Sequence, residues 1–560
     1  MKYINNKKIG EWILNKINER KFKYIAFFWL LISIQFVLGA NLQYKGYSVK
    51  SLNEFIVDII KVVVLNILFV LVHYLTLKCI SHCKGKNKSY KKIGIKIKEI
   101  YDKYLVFVII VICWIPALLS FYPALVCYDG GYQIRDCFFN LGFNLGHPIV
   151  CSVFYTLFYR VGVYVFKSGN IGMFLFSVFQ MIFMASIFTY AIKFIEKETE
   201  KKWLKIICIV FYALFPYNQL LSISTTKDVI FSGFLILFII GLYKSFNKKC
   251  TVVEYCYLIL IGILMLIFRS NAKYALLGTV PFVILILLKS KDKIKQFLII
   301  IVISVLVSTS LNNFLINMVK KDDYSELAIY CIFTQAIAKI TKEEILTEEE
   351  KNQVSKYFGD YNELARVYLP NLADNTTNML KQKELNSGEL NKKEFYEISL
   401  KLMKKYPRIT IESYLNTIRG FWYINDKTFG YSDDAEKQKV SGVLDLYTFI
   451  ISNKKEYKVS QKSVLPQLRD FYRKLFCENK YLDIPILYVL FQPALYFYLL
   501  IAYLLYNIYK RNKIETIIGV YLFLYFLTFF IGPCSIVRYI YPNIVSMPIL
   551  AGFILKKKEL

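Results

Sequence analysis

The chain has 560 residues, is 56% hydrophobic and carries a formal net charge of +30. A mean hydropathy of +0.41 at this length excludes an ordinary soluble protein and points to a polytopic membrane protein. The positive charge does not indicate nucleic acid: the lysines lie in short clusters between apolar runs, the pattern that orients membrane spans and favours anionic lipid head groups.

The first residues, 1–23, are basic, with no cleavage site of small residues after the first apolar run, so that run reads as a retained span. Spans are predicted at about 24–41, 55–80 and 104–121, the third leading into Tyr122-Pro123 and then Tyr128-Asp129-Gly130-Gly131-Tyr132-Gln133. Two glycines after an acid predict a tight turn that presents Asp129. Cys127 and Cys137 share this loop, so an extracytoplasmic location permits a disulfide; no CxxC pair occurs anywhere in the chain.

The apolar segment 147–166, opened by His147-Pro148 as a first helical turn, decides the topology. If it crosses, Lys201-Lys202, Lys248-Lys249 and Lys289 to Lys295 all face outward; if it does not, all face the cytoplasm. The positive-inside bias selects a juxtamembrane or re-entrant helix. Irregular structure at membrane depth needs burial or a watery cavity, so a cavity is expected beside the Asp129 loop.

Further spans are predicted at about 172–194, 204–221, 229–246, 253–268, 274–290 and 297–318, and three more at about 487–508, 515–531 and 540–555. This gives about twelve, with both termini cytoplasmic. The chain then divides into a membrane module at 1–318, a polar domain at 319–485 and the last spans at 486–560. Amphipathic helices are expected in the polar domain at 327–340, 347–358 and 392–418, with Pro407 punctuating the last. Parity places this domain outside.

With this topology the outer span ends collect Asp129, His147, Lys227, Asp228, Arg269, Asn271, Arg538 and Tyr539. Each also has a structural reading: Asp129 or His147 caps a helix, Asp228 favours the positive end of its span, Arg269 snorkels to head groups. Together they suit a carboxylate that takes a proton from an acceptor and cations that hold a phosphate. No Walker A or dinucleotide fingerprint is present, and no HExxH spacing supports a catalytic metal.

Through Tyr122-Pro123, Tyr128 to Gln133, His147-Pro148, Ser224 to Asp228, Phe268 to Asn271 and Val537 to Pro542, the sequence resembles the GT-C superfamily of membrane glycosyltransferases. It is similar to a bacterial group of multispanning proteins placed near the protein O-mannosyltransferases. Phe333 to Ala338, Thr347 to Lys351, Tyr406-Pro407 and Gly420 to Tyr423 extend the likeness through the polar domain. The resemblance implies an all-α, GT-C-like arrangement of about twelve transmembrane helices, with juxtamembrane helices and a mainly helical extracytoplasmic domain, in a bacterial cell membrane. It implies transfer of a sugar, with inversion, from a polyprenyl-phosphate donor to a cell-envelope glycan, lipid or protein. Asp129 takes the place of the catalytic acid and Asp228 that of the second acidic loop. Lys227, Arg269 and Arg538 are the phosphate contacts, with His147, Asn271 and Tyr539 beside them. The superfamily often pairs two acids in the first loop; here Gly130 follows Asp129 and the next acid is Asp136. No cofactor is required by the sequence, and a divalent metal shared by Asp129 and Asp228 stays open. Three other readings also stay open: a transporter or flippase of lipid-linked saccharides, a polysaccharide polymerase or ligase resting on Arg269 and Arg538, and a non-catalytic assembly factor that docks through its outer domain.

Overall fold

The computed structural model of the chain describes residues 20–83, 99–247, 250–320, 327–344, 346–427, 446 and 448–557. The basic stretches 1–19 and 84–98, Lys248-Lys249 and Lys558 lie outside the described residues. Among the described residues the protein is helical throughout, with isolated bridge pairs and no strand. Among the described residues eight helices are long and apolar enough to cross a membrane, with shorter apolar helices at Tyr104–Ser120, Val252–Phe268 and Ala272–Leu287. The exposed faces of Leu52–Cys83 and Lys291–Met318 are themselves apolar, with Ile56, Ile60, Ile67, Leu306 and Phe314 uncovered. Apolar surface of that extent on a helix is stable against lipid rather than water. The chain is a multi-pass membrane protein.

The bundle is built from α1 (Arg20–Ala40), α2 (Leu52–Cys83), α3 (Glu99–Ser120), the short α4 (Tyr128–Phe139), α5 (Ile149–Phe166) and α6 (Gly169–Thr199). It continues with α7 (Lys202–Leu214), α8 (Pro216–Leu221), α9 (Lys227–Asn247), α10 (Val252–Phe268), α11 (Ala272–Leu287) and α12 (Lys291–Met318). The span expected at 204–221 is two helices. Pro216 has no amide hydrogen to continue α7, and Phe215 before it is extended at ψ 116°. Central α9 is buried on nearly every side, as a helix apolar all round must be.

Helix α6 sets the height of everything else. Gln180, fully buried on α6, donates to the carbonyls of Leu221, Ser222 and Ser224, each at 3.0 Å. Ser177 Oγ donates to Pro123 O at 2.9 Å. Both polar turns of the sequence, after α3 and before α9, are therefore tied to one level of α6. Below that level the residues 180–199 run about 28 Å at 1.5 Å per residue, close to the hydrocarbon thickness. At the far end Glu200 pairs with Lys557 at 3.0 Å and Tyr243 donates to Glu198 at 3.3 Å.

Helix α5 begins one residue later than expected, with Pro148 as its N-cap. Its length and composition alone would let it cross. Along α6 its contacts lie on the other portion of that helix: Phe154 and Phe158 meet Phe176 and Phe179, and Gly162 lies against Gly172. At its N-terminal end Phe154 reaches Phe268, the last residue of α10.

The polar region holds α13 (Leu327–Glu343), α14 (Glu348–Phe358), α15 (Tyr361–Val367), α16 (Asp374–Asn378), α17 (Gln382–Ser387), α18 (Lys392–Lys405) and α19 (Pro407–Thr417). Thr347 and Glu350 form a capping box on α14, and Pro407 separates α18 from α19 as expected. The second apolar core of this region runs from Tyr330 to Ile409. Ile418, Phe421, Tyr423, Ile451, Tyr472 and Tyr481, later in the chain, pack instead on the core of the bundle. Helices α20 (Arg419–Trp422), α21 (Pro466–Phe476), α22 (Pro485–Leu490), α23 (Pro493–Lys510), α24 (Lys513–Leu527) and α25 (Tyr541–Ile554) complete the chain. The first of the closing spans starts at Pro493, after the separate α22, rather than at 487.

Candidate functional site

The Asp-Gly-Gly stretch is not a turn. Tyr128–Phe139 is helical from its first residue, Asp129 lies in the first turn, and neither glycine has a positive φ. The glycines serve close approach. A Cβ on Gly130 would stand 2.6 Å from Thr225 Cβ and nearer still to the Thr225 carbonyl, and one on Gly131 would enter the Phe449 ring. The Asp129 helix is thus pressed onto the turn that precedes α9. That turn is registered by Leu125 N to Ile223 O and Thr225 N to Leu125 O, both 3.0 Å, and by Cys127 N to Thr225 Oγ1 at 3.1 Å. Cys127 Sγ meets Ser224 Oγ at 2.8 Å, and no disulfide joins it to Cys137.

This contact brings the two acids onto one arginine. Arg538 Nη2 donates to Asp129 Oδ2 at 2.8 Å, and Arg538 Nε lies 3.6 Å from Asp228 Oδ2. Asp228, 1% exposed at its side chain, also pairs with Arg269 and accepts from Thr226 Oγ1 at 2.8 Å. Arg269 Nε donates to Asn271 Oδ1 at 3.1 Å, and Asn271 in turn donates to Thr528 Oγ1 at 2.8 Å. The guanidinium of Arg269 faces the rings of Phe529 and Tyr539 at 5.0 and 5.9 Å, and Tyr539 stacks on Phe529. A buried charge of this kind is stable only with its partners in place.

Lys227 and Asp228, neighbours on α9, point apart as helical geometry requires. Lys227 Nζ stands 3.2 Å from His147 Nδ1 and 3.5 Å from Gly146 O. Burial first, then the charges of Lys227 and Arg538, hold the His147 ring down to about 4 against the opposing pull of Asp129. The ring is therefore neutral at pH 7, with Nδ1 accepting from the ammonium. Burial raises the Asp129 carboxyl, but Arg538, His147 and Lys227 outweigh it and keep the group well below the usual carboxylate range. An anion so firmly held by a guanidinium is a poor proton acceptor.

All eight residues singled out in the sequence lie at this end of the bundle. Three cations, Lys227, Arg269 and Arg538, stand against the two carboxylates Asp129 and Asp228. Among the described residues no three His, Cys, Asp or Glu side chains group as a metal would need, and the arginine between the two acids occupies the space a shared ion requires. Sequence reasoning missed Asp374. It opens α16, and its carboxylate is close enough to Asp129 to feel that charge. Nothing in the sequence tied the Asp-Asn-Thr-Thr run to a residue so far away in the chain.

A family model described as "Family of unknown function (DUF6020)" matches residues 142–559, which include His147, Lys227, Asp228, Arg269, Asn271, Asp374, Arg538 and Tyr539; Asp129 lies before its start. No curated protein and no solved structure matches the chain.

Proposed function

This chain belongs to the DUF6020 family, and for it we propose an integral membrane glycosyltransferase that moves a sugar from a polyprenyl-phosphate donor to an acceptor hydroxyl at the outer face of the membrane. The observation that carries the reading is the convergence of Lys227, Arg269 and Arg538 on a partly open group of carboxylates at one end of the bundle. A phosphate arriving there offers Arg538 a second anion, and a planar guanidinium suits it well. As the bond between sugar and phosphate breaks, negative charge grows on the phosphate, and cations aimed at it lower the barrier. Lys227, beside His147, adds a third donor.

The position of α5 supports the same reading. Its contacts with the first turns of α6 and with the Phe268 end of α10 support a juxtamembrane position beside the site, with residues 180–199 of α6 crossing without it. That position and the positive-inside bias support a twelve-span, GT-C-like arrangement with cytoplasmic termini. A flippase would need a polar path reaching both faces, whereas the ion-paired group around Asp228 stays at one end.

The test uses purified full-length protein, a panel of synthetic polyprenyl-phosphate monosaccharides, and water or an alkyl glycoside as the hydroxyl acceptor. Sugar transfer by the wild type is expected with at least one donor. Arg538→Gln should lower kcat/KM by about 10²–10³-fold, the usual loss of one charge-stabilising donor. Absence of transfer from every donor, with no saturable binding of any, overturns the reading.

A further inference from the structure

The two carboxylates that sequence and resemblance single out are both engaged by arginine. The third, Asp374, is not. Among the described residues it accepts no hydrogen bond and pairs with no cation, and it is exposed although Ala373, Thr376 and Thr377 around it are buried. Its backbone is held from two sides. Leu372 bridges Cys534, and Ala373 N donates to Pro533 O at 2.8 Å, so the segment is docked on the loop that leads directly to Arg538. On the other side Thr376 Oγ1 donates to Gln335 Oε1 at 2.9 Å and Thr377 Oγ1 lies 2.9 Å from Thr334 Oγ1, which fixes α16 to α13. A solvent-accessible acid on so rigid a mount is positioned rather than incidental.

We propose that Asp374, supplied by the polar domain, accepts the proton of the acceptor hydroxyl, while Asp129 is a positioning residue that holds Arg538. The inference rests on the transfer reaction proposed above. In that reaction the acceptor oxygen forms its bond to the anomeric carbon, and its proton passes to an Asp374 oxygen. The bond from that carbon to the phosphate oxygen breaks, and the electron pair leaves with the polyprenyl phosphate, whose charge Arg538, Arg269 and Lys227 meet. The proton then passes from Asp374 to water.

The electrostatics agree with this division. The protein packed around the Asp374 carboxyl displaces part of its water and, with the Asp129 charge, raises it, whereas Asp129 is held low. Among the described residues, Cys331 of α13, Cys534 and Tyr539 also lie within electrostatic reach of Asp374, and all three are uncharged at neutral pH. Two acids pushed in opposite directions by their surroundings are the usual mark of divided roles, and the less acidic one is the better base. The domain would then do more than cover the site. Because it contributes the base, an acceptor would have to bind against it to react.

The experiment compares Asp374→Asn, Asp374→Ala and Asp129→Asn in the transfer assay above, with melting temperatures as a control for folding. Asp374→Asn should lower kcat by about 10²–10⁴-fold, the usual contribution of a general base, with donor KM unchanged within about threefold. Azide or formate should restore part of the rate to Asp374→Ala, because either ion can enter the vacated space and take the proton. Asp129→Asn should raise donor KM and gain nothing from azide. Active wild type together with an Asp374→Asn rate within about threefold of it overturns the role of Asp374 alone. Azide rescue of an Asp129→Ala variant instead returns the base to Asp129. Wild type that transfers no sugar from any donor overturns both the reaction and this role.

Discussion

Replacing Gly130 by alanine separates two opposite expectations. In an exposed helix interior the change would stabilise by about 1 kcal/mol, because alanine loses less conformational freedom. Here the added Cβ meets Thr225: its own Cβ at 2.6 Å, and its Oγ1 and backbone carbonyl closer still. Thr225 cannot swing away as a side chain would, since its amide is bonded to Leu125 O and its hydroxyl accepts from Cys127 N. Relief requires α4 and the turn before α9 to separate. Overpacking of this sort costs about 1–3 kcal/mol, and each strained hydrogen bond adds about 0.5–1.5 kcal/mol. Set against the helix gain, the net loss is about 1–3 kcal/mol. The assay is the apparent melting temperature of purified protein in detergent. Gly130→Ala should melt below wild type, and Thr225→Ala should not rescue it, because the carbonyl remains. Gly131→Ala should also melt lower, and Phe449→Ala should relieve it only in part, since that change removes the ring but keeps the Phe449 Cβ against the added methyl. Gly130→Ala melting at or above wild type refutes the close approach.

His147 predicts a pH dependence. Its folded value is lowered to about 4 from the usual 6.5, so between these the unfolded chain binds the proton more readily and stability falls as pH drops through that window. His147→Gln should flatten the loss between pH 6.5 and about 4, read by thermal melts in matched buffers. A cysteine placed at Glu200 should resist a membrane-impermeant thiol reagent applied to intact cells, because the Glu200 end of α6 lies opposite the site; labelling from outside would invert the bundle.

Much of the helical order was legible because apolar runs of span length have few alternatives. The break at Pro407 was legible from one residue. Pro216 carried the same signal inside an apolar run, where length drew attention away from it. Gly130-Gly131 misled for a physical reason. Glycine signals either backbone freedom or missing bulk, and only the partner, Thr225, shows which applies. The residues of the site were readable as polar side chains at span ends. Their pairing was not, since nothing local says that Arg538 will lie between Asp129 and Asp228. Asp374 was hidden for the same reason: its relation to Asp129 is made by the docking of Leu372 and Ala373 on Cys534 and Pro533, a contact with no periodic trace.

The Gln180 side chain has a mechanical consequence. One amide group serves three carbonyls of the turn before α9, and Ser177, one turn earlier on the same helix, holds the loop after α3. Both acid-bearing segments therefore share one fixed reference on a single rod. A tilt of α6 would carry them together and leave the spacing between Asp129 and Asp228 nearly constant. Changing that spacing would mean breaking several buried hydrogen bonds at once. The ordering of these two segments is completed during folding, so a bound molecule meets a gauge already set rather than one it must assemble.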